Sequence, residues 1–240
     1  MQSEIQPIRP ATRPHCYICG STENLTDDHI PPEGFFPPAQ QKGLLTAPLC
    51  RSCHAPLSKM DEKLRVWLAA GGGTSDAAKW IWKNKVLGST FKRSSKLAAH
   101  IRKKHFRPIL DQKGTVLGGM ITMPQGCPIP FIRRLTKGIL YLEHPEYDYF
   151  SDFFIVDHQL PTPDTIAAVG ELVSHLPRID RGNGVFRVWH GITADTGDAG
   201  VCVYLFYDAV CFVCFFGKSE KFKQPFQAGY FEEPGLPKCL

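Results

Sequence analysis

Cys16 and Cys19, followed about thirty residues later by Cys50 and Cys53, form two Cys-x-x-Cys pairs. Four thiolates in a tetrahedral array are what a closed structural zinc site requires, and such a site does no chemistry of its own. Between and beside the pairs stand Asp27-Asp28-His29 and His54. A carboxylate and two imidazoles are harder ligands, suited to a divalent cation that keeps part of its water. Asp28, His29 and His54 are therefore the candidate active-site residues.

The local motifs, Cys16-Tyr17-Ile18-Cys19, Asp28-His29-Ile30-Pro31-Pro32 and Cys50-Arg51-Ser52-Cys53-His54, resemble those of the HNH endonuclease family. These are the ββα-metal (His-Me finger) nucleases, here in the version with a four-cysteine zinc knuckle. The resemblance implies a zinc-stapled, treble-clef-like ββα-metal finger in which Asp28 and His54 hold a catalytic Mg²⁺ or Mn²⁺. It also implies that neutral His29 takes a proton from the attacking water, a task that an imidazole with a pKa near neutrality can perform. The family's asparagine before the third cysteine has no counterpart, since that neighbourhood reads Lys42-Gly43-Leu44-Leu45-Thr46-Ala47-Pro48-Leu49. The implied activity is hydrolysis of phosphodiester bonds, with double-stranded DNA as the expected partner.

Charge supports a nucleic-acid partner independently. The net charge is +5, and ten basic residues with no acid among them fall between Lys79 and Arg107. Removing those ten from the 28 Lys and Arg leaves 18 against 23 acids, so the remainder is net −5. A single basic stretch is the footprint that a phosphate backbone selects, whereas helices that need only solubility mix both signs. The candidate contacts are Lys83, Lys85, Lys92, Arg93, Lys96, Arg102, Lys103 and Lys104, with Arg133 and Arg134 as a second patch.

Elements must position these groups. Leu25 to Ile30 and Leu44 to Leu49 read as the strands of a hairpin, the first ended by Pro31 and Pro32, which lack an N–H for the ladder. Phe35 and Phe36 supply an apolar floor under the finger. A helix is expected from Pro56 to about Ala70, with Leu57, Met60, Leu64 and Trp67 on one face, stopped by Gly71-Gly72-Gly73. A second helix from Thr74 is expected to break at Gly88 to Thr90, and a third to run from Phe91 to His105.

Beyond Leu117, short apolar runs between Gly, Pro and Asp indicate an α+β unit. Phe131 to Tyr141 and Ile166 to Leu176 read as helices; Phe150 to Val156, Phe186 to Trp189, Val201 to Tyr207 and Val210 to Phe216 read as strands. The last two strands suit a hairpin turning at Asp208-Ala209. The expected organisation is α+β throughout: an extended lead-in at 1–14, the finger at 15–70, a basic helical segment at 74–110 and an α+β companion domain at 111–240.

No run of about 18 apolar residues is present and the first fourteen residues lack a hydrophobic signal region, so the expectation is a cytoplasmic protein without membrane contact and with reduced cysteines. Cys211-Phe212-Val213-Cys214 repeats the Cys-x-x-Cys spelling on a strand, where residues three apart face opposite ways; these are read as buried cysteines. The rival to catalysis is a non-catalytic zinc-knuckle module that holds nucleic acid on the same basic surface, with Asp28, His29 and His54 serving local hydrogen bonds.

Overall fold

The computed structural model describes residues 14–123, 128–147, 150, 154–159, 163–193 and 199–217. The expected lead-in lies outside these except for Pro14, as does the start of the strand expected from Phe150, at residues 151–153. Helices and antiparallel sheets are mixed along the chain, as α+β patterning requires.

Strands β1 (Leu25–Ile30) and β2 (Leu45–Cys50) pair antiparallel, with Asp28 opposite Ala47 and His29 opposite Thr46. Successive strand residues point to opposite faces. Asp28 and Ile30 are therefore buried on the inner face, while Asp27 is exposed and His29 half-buried on the outer one. Helix α1 (Arg51–Gly71) follows at once, with Cys50 as its N-cap. It begins five residues before the expected Pro56; that proline forfeits the bond to the Ser52 carbonyl and is tolerated near the helix start. The Gly72 N–H bonds the Leu68 carbonyl at 2.9 Å and closes the helix. Its α-carbon presses against Tyr207 and Ala78, where a β-carbon would stand only 2.7 Å from the Tyr207 β-carbon.

Helix α2 (Asp76–Ile81) continues through a π-helical stretch, Trp82–Thr90, into the short α3 (Phe91–Arg93). Gly88 to Thr90 does not interrupt it, because the wider i→i+5 turn absorbs the sequence. The break falls at Ser94, whose hydroxyl caps α4 (Ser95–Lys104) by accepting from the Leu97 N–H. The basic segment then ends in a hairpin rather than a helix: β3 (Phe106–Leu110) pairs with β4 (Val116–Ile121). Pro108 has no amide for a helix and is accommodated in this two-stranded sheet.

Helix α5 (Ile129–Glu143) is the centrepiece. One side packs on β1 so closely that a β-carbon on Gly138 would meet Ile30 Cδ1 at 2.2 Å. The other side meets a five-stranded antiparallel sheet of order β5-β9-β8-β7-β6, comprising β5 (Phe154–Gln159), β6 (Arg178–Arg181), β7 (Phe186–Ile192), β8 (Ala199–Phe206) and β9 (Val210–Gly217). There Thr136 Oγ1 lies 2.8 Å from the Tyr204 hydroxyl. The β8–β9 turn holds Tyr207 and Asp208 at φ of +55° and +57°, the left-handed pair that a tight hairpin uses. On the sheet's far face Val201, Val203 and Val213 pack with Val169, Leu172 and Val173 of α6 (Pro163–Ser174).

The finger's floor is continuous with the C-terminal sheet. Phe35 and Phe36 are fully buried; Phe35 packs at 5.3 Å from Phe131 and 6.2 Å from Phe206, and the Tyr207 hydroxyl donates to the Phe35 carbonyl at 2.8 Å. One apolar cluster runs from Cys16 to Phe216. Each fully buried aromatic or branched side chain contributes about 1.5–3 kcal/mol, so the interface between the finger and the later residues is a core, across the boundary expected near 110.

Candidate metal centre and the polar network beside it

The sulfur site is built from two turns. The Gly20 N–H donates to the Cys16 carbonyl at 2.8 Å with Gly20 at φ +77°, which folds Cys16 and Cys19 onto one side. Cys50 ends β2 and Cys53 lies in the first turn of α1. The four Sγ atoms lie within 4.8 Å of one another, and Cys19 and Cys50 are 3.6 Å apart. A tetrahedral ion with metal–sulfur bonds of about 2.3 Å sets its sulfurs ~3.8 Å apart. The cluster can therefore hold one metal ion such as zinc, and an all-sulfur donor set suits that ion. All seven described cysteines are free of disulfides; Cys214 is buried and Cys211 half-buried on opposite faces of β9.

Beside the cluster lies a buried ionic network that sequence reasoning missed. Tyr17, between the two knuckle cysteines, donates its hydroxyl to Asp28 Oδ2 at 2.5 Å. Arg134 of α5 donates from Nη2 to Asp28 Oδ1 at 2.6 Å and Oδ2 at 2.7 Å, and from Nε to Asp28 Oδ2 at 3.2 Å and the Tyr17 hydroxyl at 3.0 Å. Its Nη1 reaches both oxygens of Asp61 on α1 at 2.7 Å. The guanidinium is thereby bonded on every nitrogen while only 2% exposed. Burial opposes its charge, and Tyr17, Asp61 and Asp28 more than reverse that, holding Arg134 firmly protonated. Burial likewise pushes the Tyr17 phenol well above its ordinary range.

This network revises two expectations. Arg134 does not face nucleic acid; it is an internal clamp joining β1, α1 and α5. Asp28 does not stand ready for a divalent cation, since both its oxygens accept from Arg134 or Tyr17 and it is 5% exposed. Nor do Asp28, His29 and His54 converge: among the described residues, the four cysteines are the one group of three or more His, Cys, Asp or Glu with ligand atoms close enough for a shared ion. The reason is strand geometry, because Asp28 and His29 are neighbours on β1 and face opposite ways. His54 is exposed in the first turn of α1, and His29 makes no hydrogen bond among the described residues. As arranged, the residues expected to seat Mg²⁺ or Mn²⁺ do not form such a seat.

The basic residues are distributed as a surface should be. Lys83, Lys92, Arg93, Lys96, Arg102, Lys103, Lys104 and Arg133 are exposed and Lys85 is half-buried. Arg93 is paired with Glu62 at 2.6 Å, and Lys79 with Asp76 at 3.3 Å. Arg134 carried a readable signal: it lies one turn before Gly138 and between Phe131 and Leu135, inside the apolar stripe of α5, whereas Arg133 faces out. No helix among the described residues is long and apolar enough to cross a membrane. Compared with family models, curated proteins and solved structures, the chain matches none of them.

Proposed function

We propose that this protein is a zinc-stapled finger nuclease of the HNH kind, hydrolysing phosphodiester bonds in double-stranded DNA with His29 as general base. The observation that carries the reading is His29 itself, half-exposed on the outer face of β1 and without a hydrogen bond among the described residues, within a hairpin-plus-helix unit stapled by four sulfurs. An imidazole with neither ring nitrogen engaged can present one of them to a water. Water adds to phosphorus as His29 removes its proton, the phosphorus–oxygen bond to the leaving alkoxide breaks and the alkoxide takes a proton from solvent, giving a phosphate monoester and an alcohol, while His29 returns its proton to solvent. This step is not routed through a divalent cation, because Asp28 is held by Arg134. Zinc in the sulfur cluster holds β2 and the start of α1 in place and takes no part in the step.

The exposed lysines and arginines of the π-helical stretch, α3 and α4 supply the backbone affinity. Binding should weaken steeply with salt and show little sequence preference. The test is nicking of supercoiled plasmid by the wild type with Mg²⁺ or Mn²⁺, with EDTA, and by His29→Ala whose zinc content has been checked. Cleavage by the wild type that His29→Ala loses supports the reading; equal cleavage by both sinks it. A second reading, a non-catalytic nucleic-acid-binding module, is favoured by the bonding of Asp28 to Arg134 and predicts salt-sensitive binding without cleavage under any divalent metal.

A further inference from the structure

A cavity of about 390 Å³ opens between the loop after β1, α1 and α3, with none of the four clustered cysteines in its lining, which includes Phe35, Lys59, Asp61, Glu62, Arg65 and Arg93. Its acids are already answered. Asp61 has both oxygens on Arg134, and Glu62 is paired with Arg93. Its remaining cations are not: neither Lys59 nor Arg65 has an ion pair among the described residues. Arg65 is the more telling of the two. Its Nη2 donates to Thr90 Oγ1 at 3.3 Å, while its Nε is buried without a partner.

A half-buried guanidinium with an orphaned N–H is short of acceptors, and such groups are rare without a reason. Gly34 makes room for it: a β-carbon there would stand 2.5 Å from Arg65 Nη1. Burial opposes the Arg65 charge; Glu62 supports it, and Arg93 opposes it to a smaller degree across the same space. An oxyanion with several acceptor oxygens would give Lys59 and the terminal nitrogens of Arg65 the acceptors they lack, in the geometry that arginine offers phosphate. The cavity is large enough for a phosphate with its sugar.

We propose that this cavity is a phosphate-ester site, with Arg65 and Lys59 as its binding residues and Arg93 as a third cation at its rim. It goes beyond the assignment of His29 and stands whether or not the protein cleaves DNA. Two sources share this chemistry, a phosphodiester within a strand and the terminal phosphate of a free nucleotide.

The experiment is calorimetric titration of the metal-loaded full chain with thymidine 5′-monophosphate, with thymidine, and with an eight-residue oligothymidylate lacking terminal phosphates. It is repeated with Arg65→Gln, Lys59→Gln and, as a control, Lys113→Gln in the exposed β3–β4 turn. Binding of the monophosphate or the oligonucleotide but not of thymidine, weakened at least tenfold by Arg65→Gln or Lys59→Gln and unchanged by Lys113→Gln, supports the site. Tighter binding of the monophosphate assigns it to free nucleotides, and tighter binding of the oligonucleotide to a strand. Lys59 is a surface residue, so that variant stays informative where Arg65→Gln fails to fold. The site is overturned by a wild type that binds no phosphate ester at millimolar concentration, or by Lys59→Gln and a folded Arg65→Gln that bind like the wild type. Loss of phosphate binding with plasmid nicking intact removes this site alone, and the converse result removes the nuclease reading alone.

Discussion

Replacing Arg134 by methionine should be among the most damaging single changes in the molecule. The side chain holds Asp28 and Asp61 together, and its removal leaves two buried carboxylates without their shared cation. Breaking a buried ion pair by deleting one partner costs about 3–5 kcal/mol. With two carboxylates orphaned at once, the upper end of that range, about 5 kcal/mol, is expected for Arg134→Met, which for a chain of this size lowers Tm by about 10–20 °C. The loss has a pH signature. Burial already holds the Asp61 carboxyl above its ordinary range against the pull of Arg134, and without the arginine that burial is unopposed. A carboxyl so raised binds its proton more readily when folded, so the deficit relative to wild type is full at neutral pH and shrinks as pH falls through that raised value. Urea unfolding followed by tryptophan fluorescence at pH 7.5, 6 and 5 measures this directly. Adding Asp28→Asn to Arg134→Met should restore part of the loss at pH 7.5. A single variant that unfolds within about 1 kcal/mol of wild type at neutral pH, the spread of an exposed pair, would refute the reasoning and return Asp28 to candidacy as a metal ligand.

Three further outcomes are expected. His190 is 5% exposed, with its Nδ1 3.0 Å from His144 Nε2, and burial followed by His144 pushes its pKa down to about 4. A histidine kept neutral in the fold contributes stability above its unfolded pKa that is lost as pH falls towards the folded value; His190→Phe should flatten the stability profile between pH 6.5 and 4, by about 2–3 kcal/mol, with the His144–Glu146 contact left in place. Gly72→Ala should cost about 1–3 kcal/mol by overpacking, because the new methyl meets β-carbons of Tyr207 and Ala78 that no rotamer change can move, and a thermal melt reads it. Chelation of the metal, or Cys53→Ser, should open the knuckle and expose Tyr17, since a structural zinc supplies about 10–16 kcal/mol in comparable small fingers; limited proteolysis near residues 15–55 would report it, and a digestion pattern unchanged by chelator would count against a metal-held knuckle.

Much of the local structure was legible because it is written in neighbouring residues. The prolines after Ile30 end β1, the glycines after Ala70 end α1, and the two apolar runs on either side of Asp208-Ala209 give a hairpin that turns there. The cysteine spacing announced a metal cluster for the same reason. What escaped was carried by partners far apart in sequence. Arg134 read as a surface cation by type, and only the apolar residues on either side of it in α5 hinted that it turned inward, towards a carboxylate 106 positions earlier. The separation of Asp28 from His29 was implicit in the strand assignment itself, since a period of two cannot put neighbours on one face. The π-helical stretch left no such trace, because its wider turns depend on how Val86 and Thr90 settle into the core.

Tyr207 reaches the Phe35 carbonyl across 172 residues of chain, and that distance is also a delay. At about 5–20 residues per second, ribosomal synthesis takes on the order of 10–30 s to cover it. Early in that interval the nascent hairpin and α1 exist with Ile30 uncovered and Asp28 lacking its arginine, and Phe35 waits longer still for Phe206 and Tyr207. Metal capture can close the knuckle early, because all four cysteines emerge together, but the apolar underside stays bare until α5 and then β8 arrive. A fragment ending after α4 would be held permanently in that state, a metal-bound finger that sticks to other chains through the surface the rest of the molecule is built to cover.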